Sequence, residues 1–479
     1  MKDNSTQLAI IGGGPGGYAA AFLAADLGMT VTLIDPQDSP GGVCLYRGCI
    51  PSKALLHVAK LINETRAAGA WGLHFPQPRI ELDKMRAWKE GVVGQLTLGL
   101  GQLVKQRKVE HIQATAIFQD AHTLKVTNAM GAHSSLRFEH AIIATGSRAA
   151  RIPALDIDCE RIWYSKEALA LPQVPKRLLV IGGGYIGLEL TTVYAALGSE
   201  VTVVEMTPTL LPGVDRELVR FLGKGIKPMV KEILLETTAS DPRIDEHGIE
   251  ISFNRADDKS FKRTFDTVLV AVGRRPVSTG LGLKNTAVKV DDKGFIQIDG
   301  QCRAAAPNIF AVGDVTGEPM LAHKASQQAQ VAVEVIAGRR VAYEPAAVPA
   351  VVFTDPEVAW AGLGEAQAKA QGIDYSVARF PWAASGRAVT MGRGEGLTKL
   401  IIEAGTERII GAAIVGPGAG EMIAEAVVAI EMAANVTDLS LCIHPHPTLS
   451  ETLKEAAELF HGRATHLYRP LRKPKGASK

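Results

Sequence analysis

The chain has 479 residues, of which 52 are basic and 50 acidic, so its formal net charge is only +2. This balance argues against a bulk nucleic-acid or membrane binder, and we expect neither partner. The length favours about three domains, and 46% hydrophobic residues suffice for large packed interiors. Five cysteines, an odd number in a long chain, do not fit a secreted disulfide framework and favour a reducing cytoplasm.

The first apolar stretch, residues 8–27, has the position of a signal peptide but not its composition. It contains a glycine cluster, a proline and Asp26, and a single basic residue precedes it. We therefore interpret it as a buried strand, a loop and a helix. Elsewhere the sequence has no uninterrupted apolar run of membrane-spanning length.

Two segments of the chain follow one design. Each has an apolar strand, a glycine loop, an amphipathic helix and a second strand that ends in an acid. The first is LAIIGGGPGGYAAAFLAADLGMTVTLID, which starts at Leu8, and the second is LLVIGGGYIGLELTTVYAALGSEVTVVE, which starts at Leu178. Glycines of the G-x-G-x-x-G kind also occur in purely structural turns. Two copies, each with a strand, a helix and a correctly spaced acid, predict two dinucleotide-binding domains.

The glycines and the acids have different predicted roles. The first glycine permits a tight turn, the second lets backbone approach a pyrophosphate, and the third lets the helix pack on the strand. Asp35 and Glu205 end the second strands, where a carboxylate can accept hydrogen bonds from a ribose diol. Between Glu205 and Asp215 there is no arginine, so the second site is predicted to take NAD rather than NADP. The alternative for Glu205 is an ordinary surface acid.

The remaining segments complete the predicted organisation. A mostly helical stretch covers about 71–106, and two strands that lead into loops cover 141–147 and 268–274. A turn-rich region follows Pro276 and ends in IFAVGDV, and a last block of strands and helices begins near Pro349. The predicted domains are accordingly 1–148, 149–276, 277–348 and 349–479.

A pair of cysteines follows the first unit in the segment GGVCLYRGCIPSK. Cys44 and Cys49 are too far apart for the thioredoxin spacing, and no second pair completes a zinc site. At the start of a helix this spacing can bring two sulfurs within bonding reach. A pair that cycles needs one thiol for exchange with substrate and one held against an electron acceptor. The alternative is an inert buried pair, and the neighbouring dinucleotide loop makes this alternative less favoured. Lys53, on the helix that follows, would point back toward the cysteines.

Two histidines near the C-terminus each precede a proline, which favours extended backbone. His444 and His446 are therefore expected on a loop before the helix TLSETLKEAAELF, where an exposed imidazole can titrate near neutral pH. We interpret His444 as structural. Glu451 has two interpretations that are compatible: it completes a capping box with Thr448, or it contacts a histidine.

In combination and in order, six motifs resemble those of the pyridine nucleotide-disulfide oxidoreductases over nearly the whole chain. They are GGVCLYRGCIPSK, ATGS, GGGYIGLE, AVGRRP, IFAVGDVTGEPMLAHKA and HPHPTLSE. The resemblance implies an α/β fold with two Rossmann-like domains for FAD and NAD and a C-terminal α+β dimerisation domain. It also implies a cytoplasmic homodimer that passes electrons from protein-bound dihydrolipoamide to NAD. The lipoyl carrier would belong to a 2-oxoacid dehydrogenase complex, a glycine cleavage system or another lipoate-binding protein.

The resemblance also assigns roles to individual residues. Those implied to bind FAD are Gly12, Gly14, Gly17, Asp35, Lys53, Ala116, Thr145, Gly146, Asp314 and Ala322. Those implied to bind NAD are Gly182, Gly184, Gly187, Glu205 and Gly273. Those implied to act in catalysis are Cys44, Cys49, Lys53, Glu189, His446 and Glu451, and no metal is implied.

Within this catalytic set, each residue has its own implied function. Cys49 would contact the flavin, and Cys44 would attack the substrate. Lys53 would pair with Glu189. His446, oriented by Glu451, would act as acid and base at the disulfide of the other subunit.

Three residues, in two places, depart from the family pattern. Between the cysteines this chain has Tyr46 and Arg47 where the family usually has Asn and Val, and Pro445 stands where it usually has Ala. One hypothesis is that Arg47 favours the thiolate form of the pair and that Tyr46 offers a packing surface. The alternative is that Arg47 is an ordinary surface charge. Pro445 would stiffen the loop that carries His446.

The alternative functions lack their own sequence features. A glutathione-type reductase should have arginines near Glu205, and a mercuric-ion type should have a C-terminal cysteine pair; neither is present. A flavin transhydrogenase should lack the cysteine pair. A non-catalytic scaffold that docks through the basic tail at 469–479 should have a broken site, yet every catalytic position is filled. We interpret that tail as solvated.

Overall fold

The structure is a computed structural model that describes residues 5–257 and 259–468. The chain divides into two compact units. The first contains the N-terminal segment up to Val58, Thr65–Val174 and Leu269–Glu344. The second contains Ala59–Glu64, Pro175–Val268 and the segment from Pro345 onward. The basic tail at 469–479, predicted to be solvated, lies outside the described residues.

The strands and helices of the described residues are numbered in chain order. The strands are β1 Ser5–Ile11, β2 Val31–Asp35, β3 Glu110–Phe118, β4 Thr123–Asn128, β5 His133–Ile143, β6 Ser147–Ala149, β7 Ile162–Trp163, β8 Arg177–Ile181, β9 Glu200–Val204, β10 Glu232–Leu234, β11 Thr237–Asp245, β12 Gly248–Arg255, β13 Ser260–Phe265, β14 Thr267–Val270, β15 Arg274–Pro276, β16 Ile309–Ala311, β17 Ala350–Val352, β18 Val358–Gly362, β19 Tyr375–Pro381, β20 Leu397–Glu403 and β21 Ile409–Val415. The helices are α1 Pro15–Asp26, α2 Gly42–Arg47, α3 Cys49–Ala67, α4 Leu82–Gln106, α5 Ser165–Ala170, α6 Tyr185–Leu197, α7 Arg216–Ile226, α8 Ala322–Ile336, α9 Glu365–Ala370, α10 Gly386–Thr390, α11 Ala419–Glu431, α12 Val436–Leu441 and α13 Glu451–Phe460.

The first unit is built on a six-stranded sheet. Its β1 runs parallel to both β2 and β5, and β3 and β16 extend the parallel part beyond them. β4 lies antiparallel between β3 and β5. Because the carboxyl ends of the parallel strands share one edge, the loops that follow β1, β5 and β16 meet there, where ligands bind in sheets of this kind.

Side-chain alternation along β1 shows why its sequence is apolar without interruption. Leu8 and Ile10 are fully buried on the face that α1 and α8 cover. Ala9 and Ile11 face the opposite way, into a core that includes Phe118 of β3. A parallel strand that is buried on both faces needs such a continuous apolar run.

The second unit repeats the β-loop-α-β arrangement of the first. β8, α6 and β9 correspond to β1, α1 and β2, and β8, β9 and β10 are parallel neighbours. β11, β12 and β13 form a separate antiparallel sheet. The prediction of two βαβ units is therefore confirmed.

The C-terminal part of the second unit is an antiparallel sheet in the order β17-β18-β21-β20-β19. Helices α11 and α13 pack on it around the fully buried Trp382. Trp382 Nε1 donates a hydrogen bond to Thr398 Oγ1 at 2.9 Å, which satisfies its polar atom. This confirms the predicted C-terminal α+β domain. In the part of the chain that the structure describes, no helix is long and apolar enough to cross a membrane.

Candidate active site

The loop between β1 and α1 has the geometry of a phosphate-binding turn. Gly12 has φ +104°, and a Cβ atom there would lie 2.4 Å from the Ala144 carbonyl oxygen. A Cβ atom on Gly17 would lie 1.8 Å from the Gly12 oxygen, so α1 packs this closely only because Gly17 has no side chain. Near Gly14 only Gly42 Cα comes within 4 Å of such an atom, at 3.9 Å, which leaves the backbone approachable. These residues fit a bound pyrophosphate at the start of α1.

The loop between β8 and α6 has the same construction. Gly182 has φ +111°, and a Cβ atom on Gly187 would lie 2.1 Å from the Gly182 oxygen. A Cβ atom on Gly184 would have nothing within 4 Å. The positive φ of Gly182 permits the turn, the missing side chain of Gly187 permits close packing, and the open space at Gly184 leaves room for a ligand. This geometry agrees with the roles that the sequence predicts for the three glycines.

The two acids at the strand ends are buried and held by identical patterns of hydrogen bonds. One oxygen of each accepts from the second residue of its glycine loop, and the other accepts from the residue two positions after the acid. The bonds are Gly13 N to Asp35 Oδ2 at 2.6 Å, Gln37 N to Asp35 Oδ1 at 2.9 Å, Gly183 N to Glu205 Oε2 at 2.7 Å and Thr207 N to Glu205 Oε1 at 2.8 Å. Among the described residues no basic side chain forms an ion pair with either acid. A carboxylate so placed can take further bonds from ribose hydroxyls and repels a phosphate.

A polar network fixes the turn after β16. Ser147 Oγ hydrogen-bonds Asp314 Oδ2. Arg274 Nε donates to Ser147 Oγ at 2.7 Å and lies 3.9 Å from Asp314 Oδ2. Gln328 Oε1 accepts the Gly313 N–H at 2.8 Å. Sequence reasoning singled out Asp314 but not its supports, although Ser147 and Arg274 lie inside the ATGS and AVGRRP motifs.

The other predicted cofactor residues lie in contrasting environments. Gly146 and Gly273 have positive φ angles and open space where a side chain would be, so a ligand could approach their backbone. Thr145 Oγ1 donates to the Val277 oxygen at 2.6 Å. Ala116 on β3 is 4% exposed with its side chain in the core, so only its backbone could meet a cofactor. Ala322 begins α8 and is half-buried.

A tight turn brings Cys44 and Cys49 together. Cys44 lies on α2, Cys49 begins α3, and a Cβ atom on the intervening Gly48 would lie 2.8 Å from the Val43 oxygen. The Cys44 thiol hydrogen-bonds the Cys49 side chain, and this bond together with burial raises the pKa of Cys44. The opposing charge of Lys53 acts in the lowering direction. The structure thus places the two sulfurs in hydrogen-bond contact.

The cysteine turn packs directly on the first glycine loop. Gly41 N donates to the Gly13 oxygen at 2.8 Å, and a Cβ atom on Gly42 would lie 2.5 Å from Gly14 Cα. Tyr18, on the first turn of α1, has a pKa raised by burial and by the charges of both cysteines. Sequence reasoning missed Tyr18, whose only signal is its position directly after the third glycine. The thiols thus adjoin the predicted FAD loop.

Tyr46 and Arg47, the departing residues between the cysteines, have different surroundings. The Tyr46 hydroxyl hydrogen-bonds the Ser39 oxygen at 2.9 Å and Asp38 Oδ1 at 3.2 Å, so it holds the loop before α2. Arg47 is half-buried and makes no hydrogen bond or ion pair with any described residue. Because no described residue pairs with Arg47, its surroundings favour the interpretation as an ordinary charge over a specific interaction with the cysteine pair.

His446 and Glu451 form a pair on the loop before α13. Their Nδ1 and Oε1 atoms are 2.9 Å apart, and the imidazole is 69% exposed. Glu451 Oε2 accepts the Thr448 N–H at 2.8 Å, so Glu451 makes the capping contact and the histidine contact together. The helix itself begins at Glu451 with Ser450 as its N-cap, two residues later than a cap at Thr448 would place it. Burial opposes ionisation of Glu451, but the bonds from Thr448 and His446 outweigh burial and lower its pKa.

His444 is held quite differently. Its Nε2 lies 2.6 Å from Glu425 Oε1, its Nδ1 lies 3.1 Å from the Cys442 oxygen, and its side chain is only 7% exposed. Because both ring nitrogens are engaged, the geometry supports a structural role for His444. On α6, Glu189 is buried and its Oε1 accepts the Phe353 N–H at 3.1 Å. The Lys53–Glu189 pair joins residues of the two units and stays a prediction.

Comparisons with known proteins agree with this geometry. The sequence matches the pyridine nucleotide-disulphide oxidoreductase family over residues 6–329 and the dimerisation domain of that family over 348–457. A dihydrolipoyl dehydrogenase from Haemophilus influenzae is 46% identical over 97% of each chain. One from Vibrio cholerae is 45% identical over 97% of this chain and 98% of its own.

Solved structures are similar over nearly their whole length. LpdA from Mycobacterium tuberculosis has a TM-score of 0.88 at 28% identity, with 95% of this chain and 99% of that chain covered. The HOCl-induced flavoprotein disulfide reductase RclA from Escherichia coli has a TM-score of 0.83 at 27% identity with the same coverage. The resemblance expected from the motifs and the α/β fold class are both confirmed.

Proposed function

Because this chain belongs to the pyridine nucleotide-disulphide oxidoreductase family, we propose that it is a dihydrolipoyl dehydrogenase that oxidises the dihydrolipoyl group of a carrier protein and reduces NAD. FAD and NAD are the cofactors of this enzyme class. The observation that carries the proposal is the contact between Cys44 and Cys49 directly beside the Gly12–Gly17 loop. Such an arrangement can take electrons from a dithiol and deliver them to a flavin.

The first half of the proposed reaction is a thiol–disulfide exchange. With the Cys44–Cys49 disulfide formed, one substrate thiol gives its proton to His446 of the partner subunit, and the thiolate attacks Cys44 sulfur. The Cys44–Cys49 bond breaks, and Cys49 leaves as a thiolate. The second substrate thiol then attacks the sulfur bound to Cys44, its proton passes to Cys44, and the lipoyl disulfide closes. Two electrons now reside on the cysteine pair.

Side chains of this protein are placed to take up or hold the protons that move in this scheme. Glu451 binds His446 at Nδ1, so proton uptake falls to Nε2, which has no hydrogen bond with a described residue. The contact between the two sulfurs would let the Cys44 thiol donate a hydrogen bond to a Cys49 thiolate. FAD, when bound, supplies the electron-transfer chemistry that links this thiolate to NAD. The residues assigned above to FAD and NAD would hold these cofactors.

The wider setting is part of the same proposal. The match to a dimerisation domain supports a homodimer. The carrier would come from a 2-oxoacid dehydrogenase complex, a glycine cleavage system or another lipoate-binding protein, in the reducing cytoplasm that the cysteine content favours. We also retain the four-domain division 1–148, 149–276, 277–348 and 349–479 as a proposal.

Substrate preference tests the proposed function. The purified holoenzyme should form NADH from NAD with free dihydrolipoamide and, faster, with the lipoylated carrier of its own organism. Glutathione should be slower by about 10³-fold or more, because it lacks the second thiol that closes the ring. Equal rates with glutathione and dihydrolipoamide would contradict the proposal and point to another disulfide reductase.

A further inference from the structure

A cluster of five charged side chains, of which only that of Lys399 is fully buried, lies in the second unit, outside the groups used so far. Lys399 on β20 is 1% exposed, and its Nζ lies 2.5 Å from Asp215 Oδ2, 3.0 Å from Glu217 Oε2 and in contact with Glu365. Arg379 on β19 binds Glu217 at 2.8 Å and Glu365 at 2.7 Å. We call these five residues the Lys399 cluster.

The charge balance of the Lys399 cluster depends on Lys399. Three carboxylates face two cations, so removal of Lys399 would leave the acids with a single counter-charge. Burial disfavours the charged amine, but the surrounding carboxylates outweigh burial and raise the pKa of Lys399. An ion pair with a buried member seldom adds stability over apolar packing, and its best-attested use is to fix one geometry. The geometry fixed here is that of α7 against the C-terminal sheet.

Asp215 connects this cluster to the start of α7. It is the N-cap of α7, where its Oδ1 accepts the Glu217 N–H at 2.8 Å while its Oδ2 binds Lys399. Both oxygens of Asp215 are therefore committed, one to the helix and one to the cluster. The segment 206–214 lies between this anchor and Glu205, whose Oε1 holds the other end through Thr207 N.

The middle of segment 206–214 lies on the second glycine loop. Leu211 N donates to the Gly183 oxygen at 2.9 Å. Leu210 packs so closely there that a Cβ atom on Gly183 would lie 2.8 Å from Leu210 Cδ2. Leu211 has φ +46°, a conformation that a leucine keeps only where its surroundings enforce it. The position of the glycine loop thus depends on a segment that Asp215 holds at one end.

We propose that Lys399 is a positioning residue for the NAD site: through Asp215 it fixes segment 206–214, and through that segment the glycine loop beside Glu205. The inference rests on the proposed function only in its use of NAD as the ligand of this loop. It does not involve the dithiol substrate, so the two proposals can fail separately. The pair Lys399–Asp215 would act on NAD binding and leave the cysteine reaction alone.

The test separates NAD binding from the dithiol reaction in the holoenzyme. Lys399→Met should raise the NADH dissociation constant, measured by fluorescence titration, and the KM for NAD, each by about 5–10-fold. Flavin reduction by dihydrolipoamide without NAD should stay within about twofold of the wild type, because the Lys399 cluster has no role in thiol exchange. Lys399→Arg, which keeps the charge, should stay close to the wild type in both. A wild-type protein that binds NADH but leaves dihydrolipoamide unreacted would defeat only the proposed function.

Thr398→Val is the matched control. Thr398 neighbours Lys399 on β20, is fully buried and hydrogen-bonds Trp382 and Thr452 instead of α7. It should lower thermal stability without changing NADH affinity. If Thr398→Val weakens NADH binding as much as Lys399→Met does, Lys399 is merely structural and the proposal is overturned.

Asp215→Asn supplies the second arm and remains usable if Lys399→Met does not fold. Asparagine is a good N-cap, so α7 keeps its cap while the ion pair is lost. The variant should weaken NADH binding, and adding Lys399→Met should weaken it little further. Unchanged NADH affinity in Asp215→Asn, or fully additive losses in the double variant, would overturn the proposal.

Discussion

The two glycine loops share one design, yet the segments packed on them differ. In the first unit Gly41 N donates to the Gly13 oxygen at 2.8 Å, and in the second Leu211 N donates to the Gly183 oxygen at 2.9 Å. The equivalent bond is thus made by a glycine in one unit and by a leucine in the other. The residues that follow this position differ between the two units, and they determine which chemical groups lie beside each loop.

Glycine at the first loop lets reactive groups come close. Gly41 and Gly42 have φ +157° and +58°, which allow the chain to turn against Gly14 and enter α2 with Cys44. At the second loop Leu211 brings apolar side chains instead, and the chain continues to the Asp215 cap. One scaffold would therefore serve the proposed redox chemistry at the first loop and the proposed NAD binding at the second, as expected if function resides in the groups added to a fold.

The largest predicted effect comes from substituting the third glycine of each loop, which should separate the functions of the two loops. Gly17→Ala and Gly187→Ala each place a Cβ atom within about 2 Å of a loop oxygen, at 1.8 and 2.1 Å, so each loop must open. Gly17→Ala should yield protein without FAD and without turnover. Gly187→Ala should keep its yellow colour and its flavin reduction by dihydrolipoamide while NADH binding is lost. Absorption spectra and NADH titration check both, and loss of FAD from both variants would show that the loops are not independent.

Replacing either cysteine should leave FAD and NAD binding intact but stop electron transfer between substrate and flavin. Cys44→Ser and Cys49→Ser should each lower dihydrolipoamide turnover by on the order of 10³-fold or more, since neither can form the disulfide. Only Cys44→Ser retains the Cys49 thiolate, so only it should show long-wavelength absorbance from a thiolate against the flavin. If Cys49→Ser shows that absorbance instead, the two sulfurs have exchanged roles.

The histidines provide a smaller effect on the same half-reaction. His446→Gln should slow flavin reduction by dihydrolipoamide by about 10²-fold, the usual contribution of acid–base catalysis. His444→Gln should slow it far less but should lower the melting temperature more, because a buried hydrogen bond to Glu425 is lost. Stopped-flow kinetics and thermal melts distinguish the two. Equal kinetic losses would mean that the shape of the loop, rather than proton transfer, limits the rate.

The smallest predicted effect is a pH dependence of stability at Glu451. Its pKa is lowered in the folded state, so its ionised form adds stability above the unfolded pKa, and that stability is lost as pH falls through the folded pKa. Relative to Glu451→Gln, the wild type should melt about 1–3 °C higher at neutral pH, and the difference should shrink as pH falls below the ordinary glutamate pKa and close below the folded-state pKa. A difference that grows on acidification would mean that the carboxylate is stabilised in its neutral form.

The repeated units were predictable from sequence because each of their signals is local. A continuous apolar strand, three spaced glycines and a terminal acid all act within one βαβ unit, and the backbone geometry of Gly12 and Gly182 agrees with the roles assigned to them. The juxtaposition of the cysteines was equally local. The start of α13 was misplaced because a Thr448-to-Glu451 bond forms in the turn before the helix, without Thr448 becoming its N-cap.

The supports of the site could not be predicted because they join distant parts of the chain. Asp314 follows β16 and meets Ser147 on β6 and Arg274 on β15 only after these strands assemble. Lys399 meets Asp215 only when β20 packs near α7. Nothing in the local pattern of TKLIIE distinguishes a lysine that is buried among carboxylates from one on a strand's solvent face.

The central claim is that Cys44 and Cys49 carry electrons from a dihydrolipoyl group toward NAD. Anaerobic rapid mixing of the holoenzyme with one equivalent of dihydrolipoamide, followed by excess NAD, tests it directly. The wild type should form close to one NADH per active site, and Cys44→Ser and Cys49→Ser should form essentially none over the same interval. NADH formation of similar yield and rate in either cysteine variant would contradict it.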